Sequence, residues 1–339
     1  MRFCLLCSFC AALFVSWAAV SPAAAQTLTP TLTIHHAAVS CVAFSPDGTI
    51  LATGGGEWAT PDCVRLWNVA TGKLRRTLRD RRDDWNIASL CFSPDGKTIA
   101  YACDDKIRLW SVQTGRLLRV FSGQLVGDIE ISPHNRLLVS GSGADESGTY
   151  SDVQIWNLRT GRRRILPMSN AVDTITFSAD GLHLFGIGSE NGREEKPFQR
   201  TWNAGTGAIE QTRNLPRRTL GFRFSPDRTV FVVGTWDAKS QDPITVWDVE
   251  TGKLLCRLHG AHAAVSDADF SPSAPYLVTV GGNEKSGRSE LLLWNRRTGK
   301  QLLAVTSLPS LLTSVNFSSS GHTLATVSEN DTVRLWDLR

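Results

Sequence analysis

A chain of 339 residues exceeds the usual size of one domain, although all-β folds of this length often form single units. Its 42% hydrophobic and 20% charged residues are an ordinary globular composition, which excludes a disordered chain. The formal net charge of +4 is small for this length, so charge gives no reason to expect a nucleic-acid partner.

The first 25 residues differ from the rest of the chain. One basic residue precedes the apolar run CLLCSFCAALFVSWAAV, and small residues then form an Ala-x-Ala site at Ala23–Ala25. This order is typical of a secretory signal cleaved before Gln26, and a retained membrane anchor is the alternative. We therefore expect an exported protein, periplasmic or extracellular, with no later segment that could cross a bilayer.

Two markers repeat in step along the remaining chain. Apolar strands end in a tryptophan at intervals of 42 to 47 residues. These tryptophans are Trp67, Trp110, Trp156, Trp202, Trp247, Trp294 and Trp336. The second marker, FSPDG or a variant of it, begins at Phe44, Phe92, Ile131, Phe177, Phe224, Phe270 and Phe317. A period of this length, found by both markers, predicts seven repeated structural units.

Each unit has the pattern of four short strands. Residues before FSPDG alternate in the period of a strand, and Ser-Pro-Asp-Gly then favours a turn. A second strand such as 49–53, a third that ends in Trp67 and a fourth such as 73–78 complete a sheet. A lone four-stranded sheet leaves both apolar faces in water. We therefore expect the units to stack around an axis, with the tryptophans between neighbouring sheets.

With Trp-Asn or Trp-Asp after an apolar strand and a Thr-Gly-Lys/Arg turn, residues 27–339 resemble the WD-repeat (WD40-type) family of β-propellers. The resemblance implies an all-β, seven-bladed propeller of four-stranded antiparallel blades, acting as a non-catalytic protein-interaction scaffold. The turn pattern and the signal favour a bacterial-type exported member. Gly-His is largely missing, apart from His35, His36 and the HGAH at 259–262, so the family's His-Ser/Thr-Asp-Trp network should be incomplete in most blades.

The repeats divide residues 26–339 into one propeller domain. The predicted blades are 37–80, 86–122, 126–167, 170–215, 218–259, 263–307 and 312–339. The last blade lacks a fourth strand, and residues 28–34 have no other use. We therefore predict that this segment pairs with the Trp336 strand and closes the ring, with Pro30 tolerated on an outermost strand.

Connections between the second and third strands are long in five blades and must project from one face of a propeller. Insertions on one face are the usual sign of a binding surface. Aromatic side chains within or beside these connections are candidate contacts for a protein partner: Trp58, Tyr150, Phe198 and Trp236. The alternative is that these rings pack on their own loops. We expect an unidentified protein partner, no nucleic acid and a monomer.

The opposite face should carry a sparse ring of basic residues. Its members are Lys73, Arg116, Arg162, Lys253 and Lys300, joined on blade 1 by Arg75, Arg76, Arg79, Arg81 and Arg82. A solvated rim is the favoured interpretation, because basic residues suit exposed edge strands. Docking of anionic lipid, polysaccharide or nucleic acid is the alternative.

Charges enter the first strands, which line the channel of a propeller, at Asp128, Glu130, Arg223, Asp267 and Asp269. Arg223 and Asp269 occupy matching positions in adjacent blades, which predicts an ion pair. A cation or substrate site built from the four carboxylates is the alternative, as in a metal-dependent propeller hydrolase or lactonase. The carboxylates lie three blades apart, which argues against one tight cluster.

No catalytic motif accompanies these charges, and we expect neither a cofactor nor a metal. His259 and His262 have a metal-compatible spacing, but a third ligand is not evident. Five cysteines remain after cleavage: Cys41, Cys63, Cys91, Cys103 and Cys256. An odd number excludes complete pairing, and small buried hydrophobes are the default interpretation. One disulfide among the first four stays open in an oxidising compartment.

Overall fold

The computed structural model describes most of the chain after residue 27. The described ranges are 28–55, 64–79, 87–103, 105–122, 126–142, 152–166, 170–190, 196–216, 219–235, 244–259, 264–283 and 288–339. All elements in these ranges are strands, and they form seven four-stranded antiparallel sheets. The fold is an all-β, seven-bladed propeller, as the period of the two markers predicted.

The strands follow one another in chain order from the inside of each blade outwards. A leading strand, β1, spans Pro30–His35. Blade 1 contains β2 Val39–Phe44, β3 Ile50–Gly55, β4 Val64–Asn68 and β5 Leu74–Leu78. Blade 2 contains β6 Ile87–Phe92, β7 Thr98–Cys103, β8 Lys106–Ser111 and β9 Leu117–Ser122. Blade 3 contains β10 Val126–Ile131, β11 Leu137–Ser142, β12 Val153–Asn157 and β13 Arg163–Leu166.

The second half of the ring repeats this order. Blade 4 contains β14 Asn170–Phe177, β15 His183–Glu190, β16 Pro197–Asn203 and β17 Ile209–Asn214. Blade 5 contains β18 Thr219–Phe224, β19 Val230–Thr235, β20 Ile244–Asp248 and β21 Leu254–Leu258. Blade 6 contains β22 Ala264–Phe270, β23 Tyr276–Asn283, β24 Arg288–Asn295 and β25 Gln301–Leu308. Blade 7 contains β26 Leu312–Phe317, β27 Thr323–Ser328 and β28 Thr332–Asp337.

The prediction that the leading segment closes the ring is confirmed. Strand β1 pairs antiparallel with β28 and is the fourth strand of blade 7. Ile34 lies opposite Val333 and is 5% exposed, so its side chain fixes the register. Pro30 is exposed at the outer edge, next to an irregularity in the ladder between Pro30 and Leu32. A missing backbone donor is tolerated there because none of the described strands lies outside it.

The core lies between the blades. Seven hydrophobic clusters each join one blade to the next, and each contains the repeat tryptophan of the following blade or has it packed against its edge. Trp110, for example, packs with Val64 and Leu66 of blade 1. Trp67 packs with Ile34 and Val333 of blade 7, across the closing seam. Each blade therefore keeps its apolar faces dry only through its neighbours.

Candidate functional site

The seven inner strands surround an axial channel that contains a cavity of about 270 Å³. Every inner strand contributes to its wall, through residues that include Cys41, Ser89, Asp128, Thr174, Arg223, Asp267 and Ser314. These residues precede the ends of their strands. The cavity therefore lies toward the end of the channel where the inner and third strands begin and the second strands end. We call this the loop end and the opposite one the turn end.

Two carboxylates of β10 bind the neighbouring blade. Asp128 accepts hydrogen bonds from the Ile175 backbone N–H at 3.2 Å and from Ser89 Oγ at 3.1 Å. Glu130 accepts from the Phe177 backbone N–H at 2.7 Å and from Thr176 Oγ1 at 2.6 Å. Backbone N–H groups of β14 that face the channel therefore find partners on β10, which removes the cost of leaving them unpaired.

Blade 6 repeats this arrangement toward blade 7. Asp267 accepts from the Val315 backbone N–H at 3.0 Å and from Ser314 Oγ at 2.9 Å. Asp269 accepts from the Phe317 backbone N–H at 2.7 Å. The two carboxylates are two residues apart on β22, and the N–H groups that they bind are two residues apart on β26. The same spacing joins β10 of blade 3 to β14 of blade 4. Sequence reasoning found these carboxylates but missed their backbone partners, because a residue pattern does not show which N–H groups of another strand are unpaired.

Arg223 lies between the two carboxylates of blade 6, and an ion pair was expected there. Its Nε is 3.7 Å from Asp269 Oδ1, and its Nη2 is 3.7 Å from Asp267 Oδ1. Nε also donates to the Ala268 carbonyl at 3.4 Å. These contacts are long, and 38% of the side chain is exposed. The guanidinium is therefore held by charge more than by close hydrogen bonds, with donors directed into the cavity.

Burial opposes the charge of the channel carboxylates. It raises the pKa of Asp269 to about 6, although Arg223 and the Phe317 N–H act in the other direction. Burial also raises the pKa of Asp128 above its ordinary value, and Arg223 again opposes the shift. The positive charge of Arg223 thus lowers the free-energy cost of burying the charged forms of Asp128 and Asp269 in the channel wall.

A second arginine of blade 5 crosses the channel below the cavity. Arg228 donates from Nη2 to Glu130 Oε1 at 2.5 Å and so links blade 5 to blade 3. Its φ of 58° is left-handed, at a turn position where blades 1 and 2 have Gly48 and Gly96. A side chain other than glycine, asparagine or aspartate is unusual there. Sequence analysis missed this bridge, although FSPDR in place of FSPDG was its signal.

Comparison with known proteins finds a repeat family that matches parts of the chain. The family model described as "WD domain, G-beta repeat" matches residues 26–68, 72–111 and 303–337. The described part of the chain is a β-propeller that matches WD40 repeats at these positions. A crystal structure of the Cps50 (Swd1) β-propeller domain of Myceliophteria thermophila superposes with a TM-score of 0.77 at 19% identity. That likeness covers 92% of this chain and all of the other, and it shows the fold alone.

Curated relatives of the chain are distant and longer. Protein tipD of Dictyostelium discoideum is 24% identical over 299 residues, covering 72% of this chain and 46% of its own length. The WD repeat-containing protein WDS homolog of Arabidopsis thaliana is 22% identical, covering 76% of this chain and 47% of its own length. The chain thus spans about half the length of these relatives. In the part of the chain that the structure describes, no helix is long and apolar enough to cross a membrane.

A metal site in the propeller channel gains no support from the geometry. Asp128 and Asp267 already accept hydrogen bonds from neighbouring strands, which leaves fewer lone pairs for a cation. Within the described ranges, no group of three or more His, Cys, Asp or Glu side chains is placed to hold a metal ion. His262 lies outside those ranges.

The expectation that Phe198 is a loop-face contact is wrong. Phe198 belongs to β16, is 1% exposed and packs in the cluster between blades 3 and 4. The Arg200 guanidinium lies 4.4 Å from its ring centroid. The long connection of blade 4 was overestimated because β15 and β16 extend further than the repeat pattern indicates. Trp58, Tyr150 and Trp236 lie outside the described residues.

The basic rim of the propeller is partly structural, which corrects its interpretation as simply solvated. Arg76 donates to the backbone carbonyls of Gln113 and Thr114 in the turn of blade 2. Arg119, Arg164 and Arg213 reach the corresponding turns of blades 3, 4 and 5. Gly115 shows how close this approach is, because a Cβ there would lie 2.6 Å from Arg76 Cδ. Arg81 and Arg82 lie outside the described residues.

Part of the His-Ser/Thr-Asp-Trp hydrogen-bond network that the WD-repeat resemblance implies is present. In blade 1, Thr53 Oγ1 lies 2.7 Å from His36 Nδ1 and 2.9 Å from Trp67 Nε1. Trp294 and Trp336 donate to threonines of their own second strands at 3.0 and 2.9 Å. The described cysteines, Cys41, Cys91, Cys103 and Cys256, have free thiols, and Cys63 lies outside the described residues. Burial raises the pKa of the Cys41 thiol to about 12, which makes it unreactive.

Proposed function

We propose that this propeller is a non-catalytic, exported scaffold that binds a protein partner at its loop end. The observation that carries the proposal is the cavity of about 270 Å³ at that end of the channel. The second strands end and the third strands begin at the same end, and the sequence predicts long connections between them. A polar cavity at the centre of a ring of variable loops is a suitable place for a projecting side chain or loop of a partner.

Arg223 is the residue that we expect a partner to contact. Its exposed guanidinium makes one long hydrogen bond and two ion-pair contacts at 3.7 Å, so a ligand acceptor would improve its hydrogen bonding. Asp128 and Asp267 line the same cavity, which disfavours a negatively charged group. A carbonyl or carboxamide oxygen of the partner fits both conditions. Trp58, Tyr150 and Trp236 remain candidate contacts around this centre.

Export is proposed on the pattern of residues 1–25, with a periplasmic or extracellular location and a bacterial-type origin. The N-terminal sequence of protein recovered from the producing cell tests this part. We expect mature chains that begin at Gln26 in the periplasmic or extracellular fraction. Chains that begin at Met1 in the cytosol would contradict it.

Affinity capture with the mature chain tests the binding site. Wild type, Arg223→Ala and Arg75→Ala are used as baits on the extracellular and periplasmic fractions, after their melting curves have been matched. Arg75 is an exposed arginine of β5 and serves as the control. We expect Arg223→Ala to recover about tenfold less partner, since a central contact is worth about 1.4 kcal/mol or more. Equal recovery by all three baits would reject the channel as the centre of the interface.

A further inference from the structure

Among the described strands, the outermost strand of each blade has no neighbour along its outer edge. Such edges pair readily with other strands, and proteins protect them with charged residues, prolines or short length. Five outer strands are only four to six residues long and contain charged residues. These residues are Arg75 and Arg76 of β5, Arg119 of β9, Arg163 and Arg164 of β13, Glu210 and Arg213 of β17, and Arg257 of β21. The closing strand β1 carries Pro30 instead.

The outer strand of blade 6 has none of these protections. Strand β25, with the sequence QLLAVTSL, is eight residues long and contains neither a charged residue nor a proline. One face, formed by Leu303, Val305 and Leu308, packs against the cluster between blades 6 and 7. On the other face Leu302 is 45% exposed, and Ala304 is exposed as well. The result is an eight-residue edge without charge, and its ladder with β24 has register irregularities between Ser289 and Leu291 and between Leu293 and Trp294.

We propose that β25 pairs with β25 of a second copy of this chain, antiparallel across a twofold axis. In such a pair every residue faces a residue of the same strand, so a charged strand would place like charges close together. β25 can face itself without this repulsion, whereas β5, β9 and β13 would bring arginines together. The two blades would form one continuous sheet of eight strands, with Leu302 and Ala304 of both copies on one face. A dimer replaces the monomer expected from the sequence.

The repeat supplies a matched pair of variants for the test. Leu302 and Leu255 are each the second residue after a Thr-Gly-Lys turn, and they are 45% and 51% exposed. Leu302→Lys places a charge on the edge of β25, and Leu255→Lys places the same charge on β21. Light scattering coupled to gel filtration gives the mass of each protein over a hundredfold range of concentration. Melting curves confirm that both variants fold.

We expect the mass of wild type and of Leu255→Lys to rise from one chain to two as concentration increases. Leu302→Lys should remain a single chain throughout, which corresponds to a dissociation constant raised at least tenfold. A single-chain mass for wild type at every concentration would overturn the proposal. So would a dimer that survives Leu302→Lys or is lost in Leu255→Lys, because either result places the contact away from β25. Partner capture at the loop end does not depend on this outcome.

Discussion

The residue just before the motif Phe or Ile of each inner strand determines the charge and the hydrogen bonding of the channel wall. It is Ala43 in blade 1, Glu130 in blade 3, Arg223 in blade 5 and Asp269 in blade 6. Where the residue is a carboxylate, it binds a backbone N–H of the next inner strand. An unpaired buried N–H costs about 1–3 kcal/mol, so these side chains stabilise the ring as well as charging the channel. Arg223 and Arg228 then offset part of the negative charge of the carboxylates.

His36 predicts a pH dependence that belongs to one residue. Burial lowers its pKa to about 4, and the positive charge of Arg65 acts in the same direction. The unfolded chain, with an ordinary histidine pKa of about 6.5, therefore binds the proton more readily than the folded chain. The contribution of His36 to the free energy of unfolding should fall as pH falls from about 6.5 to about 4, by on the order of 3 kcal/mol.

Denaturant unfolding of wild type and His36→Gln over this pH window measures the effect. The unfolding free energy of wild type minus that of His36→Gln should fall as pH falls from about 6.5 to about 4. Asp269 contributes with the opposite sign, because its raised pKa of about 6 favours the folded state as pH falls, but it is present in both proteins. His322→Gln, at an exposed histidine, is the control. A difference that stays constant with pH would contradict a neutral, buried His36.

At the scale of the element, the outer strands are more than the last members of their sheets. Arg76, Arg119 and Arg213 extend from them to the turn of the following blade and donate to its backbone carbonyls. Cys256 Sγ lies 3.4 Å from the Arg296 carbonyl in the corresponding place of blade 5. These four outer strands therefore add a polar contact at the rim to the apolar cluster inside them. These arginines are not free to serve as a general anion-binding surface.

The closing strand β1 should contribute strongly to stability through one side chain. Ile34 is 5% exposed and packs with Val333 and Trp67, whereas Thr33 is exposed on the other face of the same strand. Ile34→Ala should lower the free energy of unfolding by about 2–4 kcal/mol, because it leaves a cavity at the seam between blades 7 and 1. Thr33→Ala should change it by less than about 0.5 kcal/mol. Chemical denaturation measures both, and equal small effects would show that the strand is not a structural lock.

The strands and the turns could be predicted because their local patterns recur in every repeat. The ring closure could be predicted because the repeat pattern leaves blade 7 without a fourth strand. The burial of Phe198 in β16 could not be predicted, because strand length in blade 4 depends on pairing between β15 and β16 and not on the motif. The Arg228–Glu130 bridge joins residues that are 98 positions apart, and no repeat relates them. The sequence therefore does not show how far a strand extends beyond the motif, or which residues at non-matching positions of different blades contact each other.

At the scale of the whole molecule, the ring is held by seven equivalent interfaces, and one blade is assembled from both ends of the described chain. The repeat makes it possible to move this seam. A permutant joins residue 339 to residue 28 through a short Gly-Ser linker. It is opened either in the turn between β12 and β13, or between blades 2 and 3 at residues 123–125. The first permutant begins with an outer strand and so reproduces the natural closure on blade 3.

The second permutant leaves every blade continuous, so only side-chain packing closes its ring between blades 2 and 3. Opening that seam no longer requires breaking ladder hydrogen bonds, which are worth about 0.5–1.5 kcal/mol each. We expect this permutant to unfold at least about tenfold faster than the first, which should unfold at a rate close to that of the natural order. Stopped-flow unfolding in denaturant measures the three rates. Equal rates for the two permutants would mean that the ring opens elsewhere, and that the shared blade does not limit its unfolding.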